Sequence, residues 1–286
     1  MTALLLAVSF GLIVLGALLF TNAVEWLGQK LDLGQGAVGS LLAAVGTALP
    51  ESTIPVVAVL AGAKGEDVAI GAIIGAPFML ATVAMMLVAG SALVFRGRRE
   101  GGQEIDVDRE HVRRDLAFFA PSFATGLVLG QFDSKPLHFA GAAVLLAVYG
   151  AYIWRTLRAG SSTEEEEEEP KPLFFDTSKR DPPNGLQTGT QLIVALAMII
   201  VGAELFVEEL TKVAEAVGVA SLVLALIIAP LATELPEKLN SVIWMRQDKD
   251  RLAVGNITGA MAFQGTVPVA LGLTITEWQL DRYATA

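Results

Sequence analysis

The ten residues VGTALPESTI at 45–54 have a second version, LATELPEKLN, at 231–240. Each copy places a glutamate, Glu51 or Glu237, directly after a proline and inside a segment that is otherwise apolar. A charged residue at the centre of a membrane helix costs roughly 2.5–3.5 kcal/mol on insertion scales, so such residues are kept where they have a partner or a use. Both copies therefore predict a functional site.

The duplication extends beyond these ten residues. A shift of 186 positions aligns GALLF at 16–20 with GAELF at 202–206 and, without any gap, aligns the two Pro-Glu pairs. A further pair of segments, GAIIGAP at 71–77 and GNITGAM at 255–261, has glycines four residues apart in both copies. Small residues at that spacing let helices approach closely, so packing explains them as well as a site does. The chain therefore contains an internal repeat.

Composition indicates a membrane protein. Of the 286 residues, 53% are hydrophobic and 17% are charged, and apolar runs long enough to span a bilayer recur along the chain. The first run, 3–27, lacks a basic leader and is too long for a signal sequence, so we interpret it as a mature membrane helix. The net charge of −10 owes much to six consecutive glutamates at 164–169 and indicates no nucleic-acid partner. The absence of cysteine excludes disulfides and thiolate metal sites.

The apolar segments predict an all-α polytopic membrane protein. Eight segments qualify as spans: 3–27, 37–62, 67–95, 115–131, 137–156, 188–210, 219–245 and 252–276. Between the fifth and sixth lies a polar stretch with the glutamate run and four prolines. That composition is typical of a linker that cannot form a core.

Basic residues in the short loops predict the orientation, because the side richer in Arg and Lys is cytoplasmic. One side carries Lys64, Lys135 and Lys212, and the other carries Lys30, Arg96, Arg98, Arg99, Arg113, Arg114, Arg155, Arg158, Arg246, Lys249 and Arg251. We therefore expect an extracytoplasmic N-terminus. Five spans separate the starts of the two repeats, so the copies cross in opposite senses. Inverted repeats are typical of secondary transporters, which bind their substrate at the repeat interface.

We predict three parts in the chain. Residues 1–156 form the first inverted repeat, 157–187 form a cytoplasmic acidic Pro-rich linker, and 188–286 form the second repeat. The first repeat has five spans and the second has three. Either the protein is naturally shorter than two full repeats or two helices are missing from this sequence.

Each motif predicts a cation site. Pro50 and Pro236 lack the backbone donor that would bond the carbonyl four residues earlier, so each helix is expected to be locally broken. Carboxylates and freed carbonyls are the oxygen ligands that calcium and sodium take. Two close carboxylates without a cation repel, and one then takes a proton. The predicted ligands are the side chains of Glu51, Glu234, Glu237 and Gln264 and the backbone around Thr47 and Thr233.

A structural alternative remains for each motif residue. A proline kink with a glutamate paired to a neighbouring helix explains one copy, but explains two copies in register less well. Lys238 is interpreted as reaching towards the membrane surface. The extra carboxylate of Glu234 is expected to be protonated or paired with Lys238, four residues further along the same helix.

With these motifs the chain resembles the cation/calcium antiporter superfamily, and specifically prokaryotic sodium/calcium exchangers. Their two repeats carry Gly-Thr-Ser-Leu-Pro-Glu followed one helix later by Gly-Asn-x-x-Gly-Ser, to which 46–51 with 71–76 and 232–237 with 255–260 are similar. The resemblance implies ten helices in two inverted five-helix halves, with Glu51 and Glu237 as paired calcium ligands. It implies a non-enzymatic antiporter in the prokaryotic plasma membrane, whose partners are inorganic cations and lipid and which has no cofactor.

The departures from the family pattern concern the choice of ion. Family hydroxyl, polar and acidic positions are occupied here by Ala48, Glu234, Ala76, Ala260, Leu80 and Gln264. Loss of these groups weakens the case for sodium sites and favours protons or another cation. Three functions stay open: exchange of Ca²⁺ or a similar cation for Na⁺ or H⁺ by alternating access, a proton-coupled exchanger of the same fold, or a non-transporting homologue.

Overall fold

A computed structural model describes residues 2–30, 49–60, 62–159, 172–176 and 183–280. Every regular element among these residues is a helix. The description covers the backbone alone at 24–25, 28–30, 49–51, 63–64, 157–159, 231–233 and 235–240. The α-helices are α1 (Thr2–Lys30), α2 (Leu49–Leu60), α3 (Ala63–Met79), α4 (Met85–Val94), α5 (Arg109–Leu129), α6 (Lys135–Ala159), α7 (Gly185–Val217), α8 (Ser221–Arg246), α9 (Asp250–Gln264) and α10 (Val267–Ile275).

The helices confirm the prediction of an all-α polytopic membrane protein. Five described stretches are long and apolar enough to cross a bilayer: Thr2–Ala23, Gly65–Val94, Lys135–Thr156, Gly185–Val217 and Asp250–Ile275. Helix α8 adds a shorter apolar stretch, Ser221–Pro230. The predicted segment 115–131 lies within α5, which starts earlier with two charged turns. Of the predicted segment 37–62, the described residues 49–60 form α2.

Two of the long stretches are interrupted. The predicted span 252–276 divides into α9 and α10 at Gly265 and Thr266, and Pro268 lies in the first turn of α10. Helices α3 and α4 are joined by a π-helical turn, Leu80–Ala84. Leu80 and Gln264 are separated by 184 positions, as are Gly71 and Gly255, so the π-turn and the break lie within one residue of matching positions of the repeat. Such π-turns and breaks are frequent at functional sites.

Helix α8 corrects one prediction. Its backbone is helical without interruption from Ser221 to Arg246, through Pro236, so the expected local break at that proline is wrong. Proline still lacks an N–H, and the carbonyl four residues before it therefore has no helical donor. The corresponding position before Pro50 lies outside the described residues.

Helices α1 and α7 pack together through two reciprocal contacts. Gly16 lies against Ile199, because a Cβ at residue 16 would be 2.8 Å from Ile199 Cγ1. Gly202 lies against Ile13, with a corresponding distance of 2.9 Å to Ile13 Cγ1. Both the two glycines and the two isoleucines are 186 positions apart. Each helix therefore offers the same Gly-and-Ile surface to the other.

Helices α3 and α8 approach just as closely. A Cβ at Gly71 would lie 2.3 Å from the carbonyl oxygen of Leu222, and one at Gly75 would lie 2.1 Å from that of Leu226. The first glycine pair thus allows backbone contact with the helix that carries the second motif. The equivalent partner of Gly255 falls at 36–40, outside the described residues.

The predicted linker boundaries need two corrections. Helix α6 runs to Ala159 and α7 begins at Gly185, so both helices enter the stretch predicted as 157–187. Within that stretch, residues 172–176 pack on the helices. Leu173 is 3% exposed and contacts Ala23 and Trp26 of α1. The expectation that the linker cannot pack is therefore wrong for this segment.

Candidate functional site

The site is centred on two buried polar side chains of α8 and α9. Glu234 is 1% exposed and Gln264 is 4% exposed. The Nε2 atom of Gln264 donates to Oε1 of Glu234 at 2.5 Å. The structure thus brings together two of the predicted ligands, which are 30 residues apart in sequence.

The break in the eighth predicted span positions Gln264 at the end of a helix. Thr266 donates its hydroxyl hydrogen to the carbonyls of Ala262 and Phe263, at 2.8 and 3.0 Å. The hydroxyl thus provides a hydrogen-bond donor for carbonyls in the last turn of α9. Gly265 packs against the Phe119 ring of α5, where a Cβ would lie 2.7 Å from the ring. These contacts fix the place at which the helix stops, and with it the direction of the Gln264 side chain.

The chemistry of the pair suits a hard cation. Oε1 of Gln264 is buried and has no hydrogen-bond partner among the described residues, so it is an available oxygen ligand. The carboxyl group of Glu234 adds two further oxygens beside it. The Ala232 carbonyl, which Pro236 deprives of its helical donor, belongs to the same stretch of α8. Carboxylate, amide and carbonyl oxygens are the ligands that calcium takes.

The other predicted ligands are placed only in part. Glu51 lies in the first turn of α2, and Thr233 and Glu237 lie in α8, but the description there covers the backbone alone. Thr47 lies outside the described residues. Among the side chains that are described, no group of three or more His, Asp or Glu could hold a metal ion. The pairing of Glu51 with Glu237 therefore stays a prediction.

A buried ion pair fixes the start of α9. The Arg99 guanidinium, fully buried, donates to the carboxylate of Asp250 in the first turn of that helix. It also donates to the carbonyls of Gly102 and Glu104, at 2.9 and 3.0 Å. The backbone N–H of Asp106 donates to the same carboxylate at 3.0 Å. The loop before α5 and the turn before α9 are therefore held together.

Sequence reasoning missed two buried charged residues. From sequence, Arg99 is explained as one of the cytoplasmic charges, and Asp115 belongs to no motif. Asp115 is 0% exposed in α5 and accepts hydrogen bonds from Tyr152 of α6 and Thr258 of α9. Its signal in the sequence was a carboxylate at the first position of a predicted span, where buried charge is rare.

Comparison with known proteins identifies the family. The family model for sodium/calcium exchanger proteins matches residues 1–158 and 189–286, nearly the whole chain. The matched regions stop on either side of the polar stretch between α6 and α7. Among curated relatives, the putative antiporter CaxA of Alkalimonas amylolytica is 22% identical over 265 residues, covering 93% of this chain and 78% of that protein. The inner membrane protein YrbG of Escherichia coli K12 is 24% identical, with coverages of 98% and 82%.

Solved structures give the same fold. The crystal structure of the H⁺/Ca²⁺ exchanger CAX superposes with a TM-score of 0.76 at 20% identity, covering 99% of this chain and 69% of that one. The sodium-calcium exchanger NCX_Mj superposes with a TM-score of 0.53 at 20% identity, with coverages of 96% and 82%. Helical membrane architecture, motif pairs and family model agree, and the chain belongs to the sodium/calcium exchanger protein family.

Proposed function

We propose that this protein is a secondary active antiporter that exchanges Ca²⁺ or a similar cation for Na⁺ or H⁺. The observation that carries the proposal is the buried Glu234–Gln264 pair, which joins the second motif to the interrupted span. A buried carboxylate at membrane depth is costly and is kept where it binds an ion or a partner. Membership of the exchanger family supports a cation as the ligand of this pair.

The proposed site combines this pair with the two motif glutamates. Glu51 and Glu237 supply the charges that offset a divalent ion, and backbone oxygens around Thr47 and Thr233 complete the set. Calcium takes 6 to 8 oxygen ligands, which one helix cannot provide. Two motifs on facing helices can provide them, and the close approach of α3 to α8 at Gly71 and Gly75 supports such a meeting.

Alternating access follows from the proposed inverted repeats, 1–156 and 188–286. The reciprocal contacts of Gly16 with Ile199 and of Gly202 with Ile13 support a two-fold relation between α1 and α7. The matching irregularities at Leu80 and Gln264 extend that relation to the interrupted spans. In transporters built this way, one repeat rocks or slides against the other around a fixed site.

The proposed orientation places the N-terminus outside the cytoplasm of a prokaryotic cell. Arg99 contacts Asp250, so two loops assigned to the basic, cytoplasmic side lie together. At the opposite end, Lys135 donates to the Thr276 carbonyl at 2.6 Å, and Glu66 binds the N–H of Glu277. These contacts support the grouping of the loops into two sides, and the charge of the loops carries the proposal that the basic side is cytoplasmic.

The coupling ion separates the two exchanger hypotheses. Alanines at 48, 76 and 260 replace family hydroxyls, which removes sodium ligands and favours protons. The pH-titratable member of the proposed site is a carboxylate, since carboxylates can exchange a proton for a cation.

Flux in proteoliposomes tests the proposal. Purified protein is reconstituted and calcium uptake is measured with a sodium gradient and a pH gradient imposed separately. Glu51→Gln and Glu237→Gln are expected to abolish uptake, because each removes a charge that offsets calcium. Glu204→Gln on exposed α7 surface is the matched control and should retain it. Normal uptake by Glu51→Gln would refute the site, and no uptake with either gradient would leave the non-transporting alternative.

A further inference from the structure

Each interrupted span begins with an acidic residue at the same position of the repeat. Glu66 lies in the first turn of α3, and Asp250 lies in the first turn of α9. They are 184 positions apart, the same shift that aligns the glycine pairs. The six residues that begin there, EDVAIG at 66–71 and DRLAVG at 250–255, are also similar in sequence. The two carboxylates are therefore equivalent.

Each carboxylate binds the segment that follows the other interrupted span. Asp250 accepts from the N–H of Asp106 at 3.0 Å and from the Arg99 guanidinium, both in the segment between α4 and α5. Glu66 accepts from the N–H of Glu277, in the segment after α10. We call the first set of contacts the Asp250 clasp and the second the Glu66 clasp. The clasps join opposite ends of the same two spans, so they are reciprocal.

A residue with a rarely adopted backbone conformation accompanies each clasp. Among the described residues, the non-glycine positions with a positive φ are Asp248, at 59°, and Trp278, at 48°. Asp248 lies two residues before Asp250, and its Oδ1 accepts from a backbone N–H of the segment after α4 at 3.0 Å. Trp278 follows Glu277 directly, is fully buried, and donates from Nε1 to the Gly126 carbonyl at 2.9 Å. Such conformations persist where surrounding contacts impose them, often at functional sites.

The two interrupted spans lie side by side between the clasps. Near the Glu66 clasp, Ile73 of α3 lies against Gly272 of α10, where a Cβ would be 2.9 Å from Ile73 Cδ1. Further along, Leu80 of the π-turn belongs to one buried apolar cluster with Met261 of α9. Clasps at both ends and apolar contacts between them therefore join the two spans.

We propose that Glu66 and Asp250 are a pair of positioning residues for the cation site. The π-turn starts at Leu80 and α9 ends at Gln264, each 14 residues, about 21 Å, beyond the acidic residue of its own span. Because each span is tied at its start to the far end of the other, neither can slide past the other without breaking a clasp. The clasps thereby fix Gln264, and its bond to Glu234, relative to the π-turn. This role rests on the proposed antiport and deepens it.

The clasps differ in their exposure to water. The side chains of Arg99 and Asp250 are 0% and 7% exposed, whereas Lys135 and Glu277, which pair at 3.7 Å beside the Glu66 clasp, are 44% and 52% exposed. Loss of one partner of a buried pair leaves an uncompensated charge, so changes at Asp250 destabilise the fold as a whole. Exposed pairs contribute little to stability. Glu66 is therefore the member whose positioning role can be measured in a folded protein.

Hydrogen–deuterium exchange of the purified protein tests the Glu66 clasp without transport. Glu66→Ala removes the acceptor and should speed amide exchange at 276–280 by about fivefold, which corresponds to about 1 kcal/mol for one hydrogen bond. Exchange at 264–267 should also become faster, because the clasp positions the break. Glu66→Gln keeps an acceptor oxygen and should restore most of the protection. Asp133→Asn, in the exposed loop between α5 and α6, is the matched control and should change neither segment. Faster exchange at 276–280 alone, or at neither segment, would overturn the proposal.

Calcium uptake separates positioning from a merely structural role. In Glu66→Ala the calcium concentration for half-maximal uptake should rise by a similar factor, while the maximal rate and the thermal unfolding midpoint stay close to those of the unsubstituted protein. Glu66→Gln should recover most of the affinity, and Asp133→Asn should keep it. A lower maximal rate at an unchanged half-maximal concentration contradicts positioning. If the unsubstituted protein takes up no cation, the antiport proposal fails, and exchange at 264–267 still decides whether the clasp positions the break.

Discussion

Gln264 donates its side-chain amide to Glu234 across 2.5 Å, joining the end of α9 to the middle of α8. Both residues are buried, so neither can replace the bond with water. Hydrogen bonds to charged groups contribute about 1.5–3 kcal/mol. This contact therefore contributes to the position of α9 relative to the second motif, together with the apolar packing of the helix and the ion pair at its opposite end.

Gln264→Leu removes the amide donor and the free amide oxygen and puts an apolar side chain of similar size in their place. A loss of about 1.5–3 kcal/mol corresponds to roughly tenfold or more in an equilibrium constant. We expect calcium affinity, measured from the concentration dependence of uptake, to fall by at least about tenfold. Met261→Leu, a buried and volume-conserving change on α9, is the control. It should lower the free energy of unfolding by less than about 1.5 kcal/mol and leave the calcium affinity unchanged.

Gln264→Glu tests the same pair in a second way. It places a carboxyl group within bonding distance of Glu234, and two such groups share a proton. Calcium binding should then become steeper with pH than in the unsubstituted protein. Equal affinities for the Leu variant and the unsubstituted protein would show that the pair lies apart from the transported ion.

Gly16→Ala tests the packing of α1 on α7. The added methyl carbon would lie 2.8 Å from Ile199 Cγ1 and 3.0 Å from the Ala195 carbonyl, closer than side chains tolerate. We expect a lower thermal unfolding midpoint in detergent, partly recovered by Ile199→Ala. Gly11→Ala on the same helix meets nothing within 4 Å and should be neutral or stabilising by about 0.5–1 kcal/mol. If both alanine variants melt alike, close approach at Gly16 does not limit stability.

The stretch between α6 and α7 divides into two parts with different expected effects. Gln191, fully buried, accepts from the N–H of Phe175 at 2.9 Å and donates to the Leu19 carbonyl of α1 at 2.9 Å. Beside it, Leu173 packs on α1. Replacement of residues 160–171 by a Gly-Ser segment of equal length should retain calcium uptake, because the contacts of Gln191 and Leu173 do not involve residues 160–171.

Leu173→Ala, by contrast, removes a buried side chain, and such changes cost about 2–5 kcal/mol. We expect a clear drop in the thermal unfolding midpoint for this variant. Phe174→Ala, which alters an exposed neighbour, is the matched control and should change it little. Equal thermal unfolding midpoints for the Leu173 and Phe174 variants would show that the packing of Leu173 adds no stability and that the whole stretch acts only as a linker.

The helices and the Glu234–Gln264 meeting could be predicted because their signals are local or repeated. Apolar length predicts the spans, and the duplicated motifs indicate which segments of the chain form the site. The polar side chains of Glu234 and Gln264 are not themselves duplicated, since the first copy has Ala48 and Leu80 there. Other features depend on tertiary contacts. The span 252–276 is apolar through Gly265 and Thr266, so hydrophobicity cannot reveal that it breaks there. Pro236 is the opposite case: a proline removes one hydrogen bond of a helix, and α8 continues through it all the same.

Short apolar stretches are hard to predict when composition is judged over a long segment. Leu173 is one of three consecutive apolar residues, 173–175, and the charged, proline-rich residues around them dominate the composition of the linker. Arg99 and Asp115 lie at the ends of spans, where a charge is ordinarily explained by solvent or by the positive-inside rule. Arg99 and Asp115 are buried because particular loops and helices pack against them, and these tertiary contacts cannot be predicted from a single sequence.

The Arg99–Asp250 pair is expected to show strong coupling between its two partners. Removal of one member of a buried ion pair leaves an uncompensated charge and costs about 3–5 kcal/mol, whereas replacement of both by apolar groups is often close to neutral. Arg99→Met and Asp250→Leu should each lower the thermal unfolding midpoint strongly, and the double variant should be more stable than either. The N–H of Asp106 loses its acceptor in the double variant, so recovery is incomplete. Arg251→Gln breaks an exposed pair with Asp106 and should cost at most about 1 kcal/mol, which makes it the control. If the two single changes simply add in the double variant, the pair contributes no coupling, and other contacts hold the loop before α5 to α9.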